Sequence, residues 1–400
     1  MNKLIIGCIA DDFTGASDGA SFLKKGGLNT VLISGETYTT AVLPEDIQAV
    51  VVALKIRSVP TEEAVEKALA AARWLKNAGA EVLYYKYCST FDSTRQGNIG
   101  PVCDALAEHC GSRTVLLCPS LPANGRTVKG GILYVNGVPL ADSPMRFHPL
   151  NPMWSSEICE LMSPQSRYPV FTEKSKIPKE GISYYVPDYV DDSDGRDIVQ
   201  NHAGLPLMTG GSGLLEHLAS RFSSDTGSDF RFPSVPEGRR VIIAGSCSEM
   251  TRCQIARYIA VGGIAYKIDP LALCSGKDEI GRLKQIIQNA QNDVLLYSSD
   301  TPQNIDQCRI SCSADISERL EALAGELALY AVNCGVNKLV VAGGETAGAV
   351  ISRLPFSVYR IGICLAPGVP EMVPAEYEQL HLALKSGNFG NEDFFVNTLI

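Results

Sequence analysis

Asp11 and Asp12 stand at the end of an apolar run and are followed, within eight positions counted from Asp11, by Thr14-Gly15 and Asp18. Adjacent carboxylates can orient or deprotonate a hydroxyl. The pattern predicts a strand, a turn and a helix running to Lys24-Lys25-Gly26-Gly27. The C-terminal end of a first strand in an open α/β sheet faces a ligand crevice, and free N–H groups at the helix start suit an anion. Helix capping by Asp12 or Thr14 explains one such residue, but not the whole group.

Cations are expected on the same rim. Lys55 and Arg57 end a third strand, either as part of a polar site or as a surface salt bridge. The next strand runs into Lys86-Tyr87-Cys88-Ser89-Thr90-Phe91-Asp92-Ser93-Thr94. Lys86 suits a carboxylate or phosphate, while Ser89 and its neighbouring hydroxyls suit a polyhydroxylated substrate. Asn98 reads as the N-cap of the helix that follows. Arg126 lies in a Pro/Gly-rich loop, and Arg146 and His148 in a proline-stiffened one. His148 stands open between a ligand contact and an ordinary loop histidine.

In the second half, an apolar strand ends in Gly343-Gly344-Glu345-Thr346, and Gly245-Ser246-Cys247-Ser248 and Lys385-Ser386-Gly387-Asn388-Phe389-Gly390 also follow apolar runs. Three such loops in one domain favour nucleotide phosphate. They match neither the P-loop nor the dinucleotide fingerprint.

These residues need strands to present them. Strand patterns at 30–33, 49–54, 82–85 and 114–117 alternate with helical patterns at 61–77 and 99–110. Strands at 240–244, 265–268, 293–297, 338–341 and 358–361 repeat the arrangement, with a long helix over 314–334. The fold class expected is α/β: two α/β domains with mainly parallel sheets and the active site in the cleft between them. The polar stretch 223–239 separates them.

A net charge of −9 argues against nucleic-acid or anionic-membrane partners. No apolar run approaches the roughly 20 residues of a membrane span. Met1-Asn2-Lys3 leads directly into a strand, which makes a cytoplasmic location the expectation. Thirteen cysteines without a Cys-x-x-Cys pair read as reduced thiols, Cys308 and Cys312 as loop residues rather than zinc ligands. The acidic run 188–195 fails as a calcium loop and reads as a capped helix start.

Residues 9–18, 86–100, 209–213 (Thr209-Gly210-Gly211-Ser212-Gly213), 343–346 and 385–390 together resemble the four-carbon acid sugar kinases, over nearly the whole chain. The resemblance implies a sugar-acid-binding domain over 1–230 and a nucleotide-binding domain over 240–400. The reaction it implies is transfer of the γ-phosphoryl group of ATP to the terminal hydroxyl of a four-carbon acid. The spelling at 85–94, with Arg126-Thr127-Val128 and Met145-Arg146-Phe147-His148, is similar to the branch acting on 3-oxo acids. Kinases of threonate or erythronate, and a non-catalytic nucleotide and sugar-acid sensor, are the alternatives. Asp12 is then the first candidate to orient or deprotonate the acceptor and Asp92 the second. Asp11, Lys55, Arg57, Lys86, Ser89, Arg126, Arg146 and His148 are expected on the substrate. Ser246, Ser248, Gly343, Gly344, Glu345, Thr346, Gly387 and Gly390 are expected on ATP. Mg²⁺ arrives with ATP, no protein metal ligand is assigned, and a homodimer is left open as the assembly.

Overall fold

A computed structural model describes residues 4–147, 151–223, 232–312 and 316–400. His148 lies outside the described residues. The chain divides into two units, Met1–Phe230 and Arg231–Ile400.

In the first unit, short apolar strands buried on both faces form a parallel sheet, as continuous hydrophobic runs dictate. The strands are β1 (Ile6–Ala10), β2 (Thr30–Ser34), β3 (Ala49–Ala53), β4 (Val82–Lys86) and β5 (Thr114–Cys118). β6 (Arg126–Lys129), β7 (Ile132–Val135) and β8 (Val138–Pro139) make a separate antiparallel sheet. Asn136 and Gly137 both have positive φ at its turn, as the Asn-Gly pair requires. β9 (Val170–Phe171), β10 (Ser183–Tyr185) and β11 (Leu207–Gly210) complete the main sheet, in the order β2-β3-β1-β4-β11-β5-β10-β9. The register aligns Ala10 with Ala53 and Lys86, and Gly210 with Lys86 and Cys118. One row of strand ends therefore carries the loops beginning at Asp11, Leu54, Tyr87, Pro119 and Gly211. Connections from β1 and β4 leave in opposite directions along the sheet, the condition for a ligand crevice.

The second unit holds β12 (Arg240–Ala244), β13 (Ile264–Lys267), β14 (Val294–Tyr297), β15 (Lys338–Ala342), β16 (Val358–Ala366), β17 (Val369–Pro374) and β18 (His381–Lys385). Their order is β13-β14-β12-β15-β18-β17-β16, parallel from β13 to β18 and antiparallel beyond. β17 was not among the expected strands; it carries Pro370 and Pro374, residues that a ladder disfavours. It is tolerated where the β16 ladder is irregular around Cys364. All thirteen cysteines are free thiols. No helix is long and apolar enough to cross a membrane among the described residues.

Candidate functional site

Asp11 and Asp12 leave β1 at the row of strand ends, and Asp12 caps the helix Phe13–Lys25 by accepting the Gly15 N–H at 2.6 Å. Its other oxygen pairs with Arg57 Nη1 at 2.8 Å. Capping and a charged site are thus one arrangement. Asp11 is 1% exposed and accepts from Arg57 Nε and Nη2, each at 2.8 Å, in a bidentate pair. Asp92 Oδ2 stands 3.9 Å from Arg57 Nη1, and Asp92 Oδ1 accepts from Asn151 at 2.8 Å. Burial pushes the Asp11 carboxyl up, opposed by Arg57. Burial also works against charge at Asp12, but Arg57, Lys86 and the Gly15 N–H outweigh it and hold this carboxyl below its usual range. The site therefore keeps Asp12 ionised beside a fixed guanidinium.

Asn98 fixes the segment that carries Arg57. Its amide donates to the carbonyls of Ile56 and Val59, each at 2.8 Å, while Thr61 Oγ1 donates to its side-chain oxygen at 2.9 Å. The expected capping bond from this side chain is absent from the helix Ile99–Cys110. Asn98 braces the cluster instead of the helix.

Lys86 ends β4 and is 4% exposed. It runs beneath the start of the helix, where a Cβ at Gly15 would fall within 2.5 Å of its Nζ and closer still to Asp12 Oδ1. Glycine at 15 is what lets the lysine pass. No hydrogen bond or ion pair closes on its ammonium among the described residues, although its charge acts on Asp12 and Asp18. Asp18 is buried, accepts from the Ser212 hydroxyl, and has Oδ1 unpartnered among the described residues. Burial raises its pKa, with Lys86 opposing. Arg126 donates to the Asn124 carbonyl and keeps Nε buried without a partner among the described residues. Ser89 is half-buried beside Gly211. Lys55 is exposed, and Arg146 is exposed with its guanidinium 5.0 Å from the Phe147 ring.

In the second unit, β12, β15 and β18 end in register at Ala244, Ala342 and Lys385. Gly245 and Ser246 donate their N–H groups to the Ala342 carbonyl, and Gly343 donates to that of Lys385 at 2.9 Å. Three loops are so tied at one edge. Gly343 has φ +126°, a conformation that side chains disfavour, and starts the helix Gly344–Arg353. A cavity of about 350 Å³ opens there, lined by Ser246 and the four residues 343–346 together with apolar side chains such as Ile268, Ile305, Ile316 and Leu320. Apolar walls with a few polar groups and a helix N-terminus suit a nucleotide. Ser248 caps the helix Glu249–Ala260. A Cβ at Gly387 would meet Ser248 Oγ at 2.8 Å, and one at Gly390 would meet the Phe394 ring. These three residues are absent from the cavity lining among the described residues. The apolar wall escaped sequence reading because its helical spacing is that of ordinary core.

Residues 6–218 match the family model described as a sugar-binding N-terminal domain, and residues 241–395 that of a nucleotide-binding C-terminal domain. A 3-oxo-tetronate kinase of Pseudomonas fluorescens is 39% identical, with 99% of this chain and 96% of the relative covered. The 3-oxo-tetronate kinase of Haemophilus influenzae is 38% identical, with 98% of each covered. A crystal structure from Salmonella typhimurium LT2, described as that of a tRNA synthase, superposes with a TM-score of 0.87 at 38% identity over 98% of each chain.

Proposed function

We propose that this chain, which belongs to the four-carbon acid sugar kinase family, is an ATP-dependent kinase that phosphorylates the C4 hydroxyl of 3-oxo-tetronate. The observation that carries this reading is near-full-length agreement, at 37–39% identity, with relatives bearing that activity in their name. A charged cluster in the sugar-binding unit and a glycine-loop cavity in the nucleotide-binding unit support it. The tRNA synthase description is not carried to this chain, since a net charge of −9 suits a small substrate better than a polyanion.

Asp12 orients the C4 hydroxyl. Its low pKa makes it an acceptor rather than a strong base, which is enough for a loose phosphoryl-transfer transition state. Arg57 holds Asp12 in place and presents its charge toward the transferred group, and Asp11 braces Arg57. Asp92 is the second carboxylate within reach. Lys86, with unspent donors, and Arg126, with a free Nε, bind the substrate carboxylate, while Ser89 faces its hydroxyls. Lys55, Arg146 and His148 are assigned to the substrate as well.

ATP occupies the cavity, with its base against the apolar wall and its phosphates at residues 343–346 and Ser246. Ser248, Gly387 and Gly390 shape the loops from behind. Mg²⁺ carried by the polyphosphate would supply neutralisation of its charge. Among the described residues no three His, Cys, Asp or Glu side chains gather as metal ligands. The site of action proposed is the cytoplasm.

The test is coupled ADP release with Mg-ATP on 3-oxo-tetronate, its 2-oxo isomer, threonate and erythronate. Turnover on the 3-oxo acid is expected. Turnover on the reduced acids alone would move the chain to another branch, and ATP binding without any turnover would leave a sensor.

A further inference from the structure

Lys385 is fully buried at the end of β18, and no residue role described so far uses it. Its ammonium donates to the Gly387 carbonyl at 2.8 Å and to Thr251 Oγ1 at 3.2 Å. Thr251 donates to the same carbonyl at 2.8 Å, and Ser248 Oγ donates to Thr251 Oγ1 at 3.1 Å. The Lys385 carbonyl holds the Gly343 N–H. One residue thus touches two of the three loops at the cavity edge and reaches the third through Thr251 and Ser248.

Among the described residues, the groups around this ammonium are the Thr251 hydroxyl from the helix Glu249–Ala260, the Gly387 carbonyl and the Phe395 ring at 5.9 Å, with Ser248, the cap of that helix, bonded to Thr251. None of these is anionic. A buried cation without a counter-ion is costly, and an apolar side chain of similar size would pack there more cheaply. Among the described side chains, those lining the cavity include Asp300, Glu321 and Glu345, but no lysine or arginine. The fold keeps a buried cation just behind the loops assigned to phosphate.

We propose that Lys385 is a positioning residue of the nucleotide site, fixing Gly387, Thr251 and Ser248 and supplying from behind the loops the positive charge against which the polyphosphate is held. This rests on the nucleotide reading above. Burial pulls the pKa of Lys385 down to about 7 in the free chain. A bound polyanion favours its charged form. Nucleotide binding then draws a proton onto the protein, and affinity falls as pH rises above neutrality.

Calorimetric titration of the full chain with ATP and excess Mg²⁺, in two buffers of different ionisation enthalpy, tests this in the wild type, Lys385→Met and Lys385→Arg. The nucleotide's own protons cancel between variants. Wild type is expected to take up a proton and to lose affinity severalfold between about pH 7 and pH 8.5. Lys385→Met is expected to bind about tenfold more weakly at neutral pH without that uptake. Its KM for ATP should rise while kcat at saturation and KM for the sugar acid hold. Lys385→Arg, charged throughout, is expected to keep affinity within a few-fold and to lose the uptake. If Lys385→Met does not fold, the arginine variant decides. Wild-type affinity and proton uptake in either variant would overturn the proposal. Failure of the wild type to bind ATP would instead overturn the nucleotide reading, and this proposal with it.

Discussion

Replacing Arg57 by methionine strips three contacts of 2.8 Å from two adjacent carboxylates. Asp11, at 1% exposure, is then left buried without its bidentate partner. Breaking a buried pair from one side costs about 3–5 kcal/mol. Arg57 itself is 23% exposed, so solvent screening puts the expectation at the lower end, about 3 kcal/mol. The deficit has a pH signature. Without the guanidinium, burial and the neighbouring charge favour a proton on the Asp11–Asp12 pair in the folded state, whereas the unfolded chain releases it near pH 4, roughly the free Asp value. A folded pKa above the unfolded one means stability that is complete below the unfolded pKa and is lost as pH rises through the folded pKa. The deficit should therefore be largest at about pH 8 and shrink toward about pH 5. Trp74 and Trp154, the two tryptophans, both lie in the first unit, so tryptophan emission in urea reports that unit selectively. A loss below about 1 kcal/mol, or one equal at both pH values, would refute a buried role and leave an ordinary surface pair.

Other perturbations separate the two units. Gly15→Ala places a Cβ against Lys86 and Asp12, and kcat/KM for the sugar acid should fall by at least about tenfold while calorimetric ATP affinity stays unchanged. Asn98→Asp turns a carboxylate toward the Ile56 and Val59 carbonyls; urea unfolding should show a loss of roughly 1–3 kcal/mol, and KM for the sugar acid should rise. Gly387→Ala crowds Ser246 and Ser248, and KM for ATP should rise about tenfold with KM for the sugar acid unchanged.

The charged strand end was legible because Asp-Asp followed by Thr-Gly is too polar for a buried turn without a purpose. Lys55 and Arg57 could not be told apart in sequence, since both follow the same strand and only the fold turns Arg57 inward. Asn98 was read as a cap because Asn before an apolar helix is usually one. Its three carbonyl partners belong to a segment some forty residues earlier, which local patterning does not register. The glycine loops of the second unit were visible, but the cavity's apolar wall was not, because Ile305, Ile316 and Leu320 differ in no local respect from core residues. Lys385 looked like a loop cation and proved wholly buried.

The place of β11 has a consequence for synthesis. It pairs with β4 on one side and β5 on the other, yet it is the last strand of its sheet to leave the ribosome. Until residue 210 emerges, a chain that already carries β1 to β5, β9 and β10 has no strand to join its two halves. Two open parallel edges stay exposed for the time it takes to make some ninety residues after β5. The charged cluster of Asp11, Asp12, Arg57 and Lys86 sits at the ends of β1, β3 and β4, in the half that is made first, but its sheet is sealed only at the close of the unit's synthesis. A nascent chain stalled before Leu207 would be the form most in need of a chaperone.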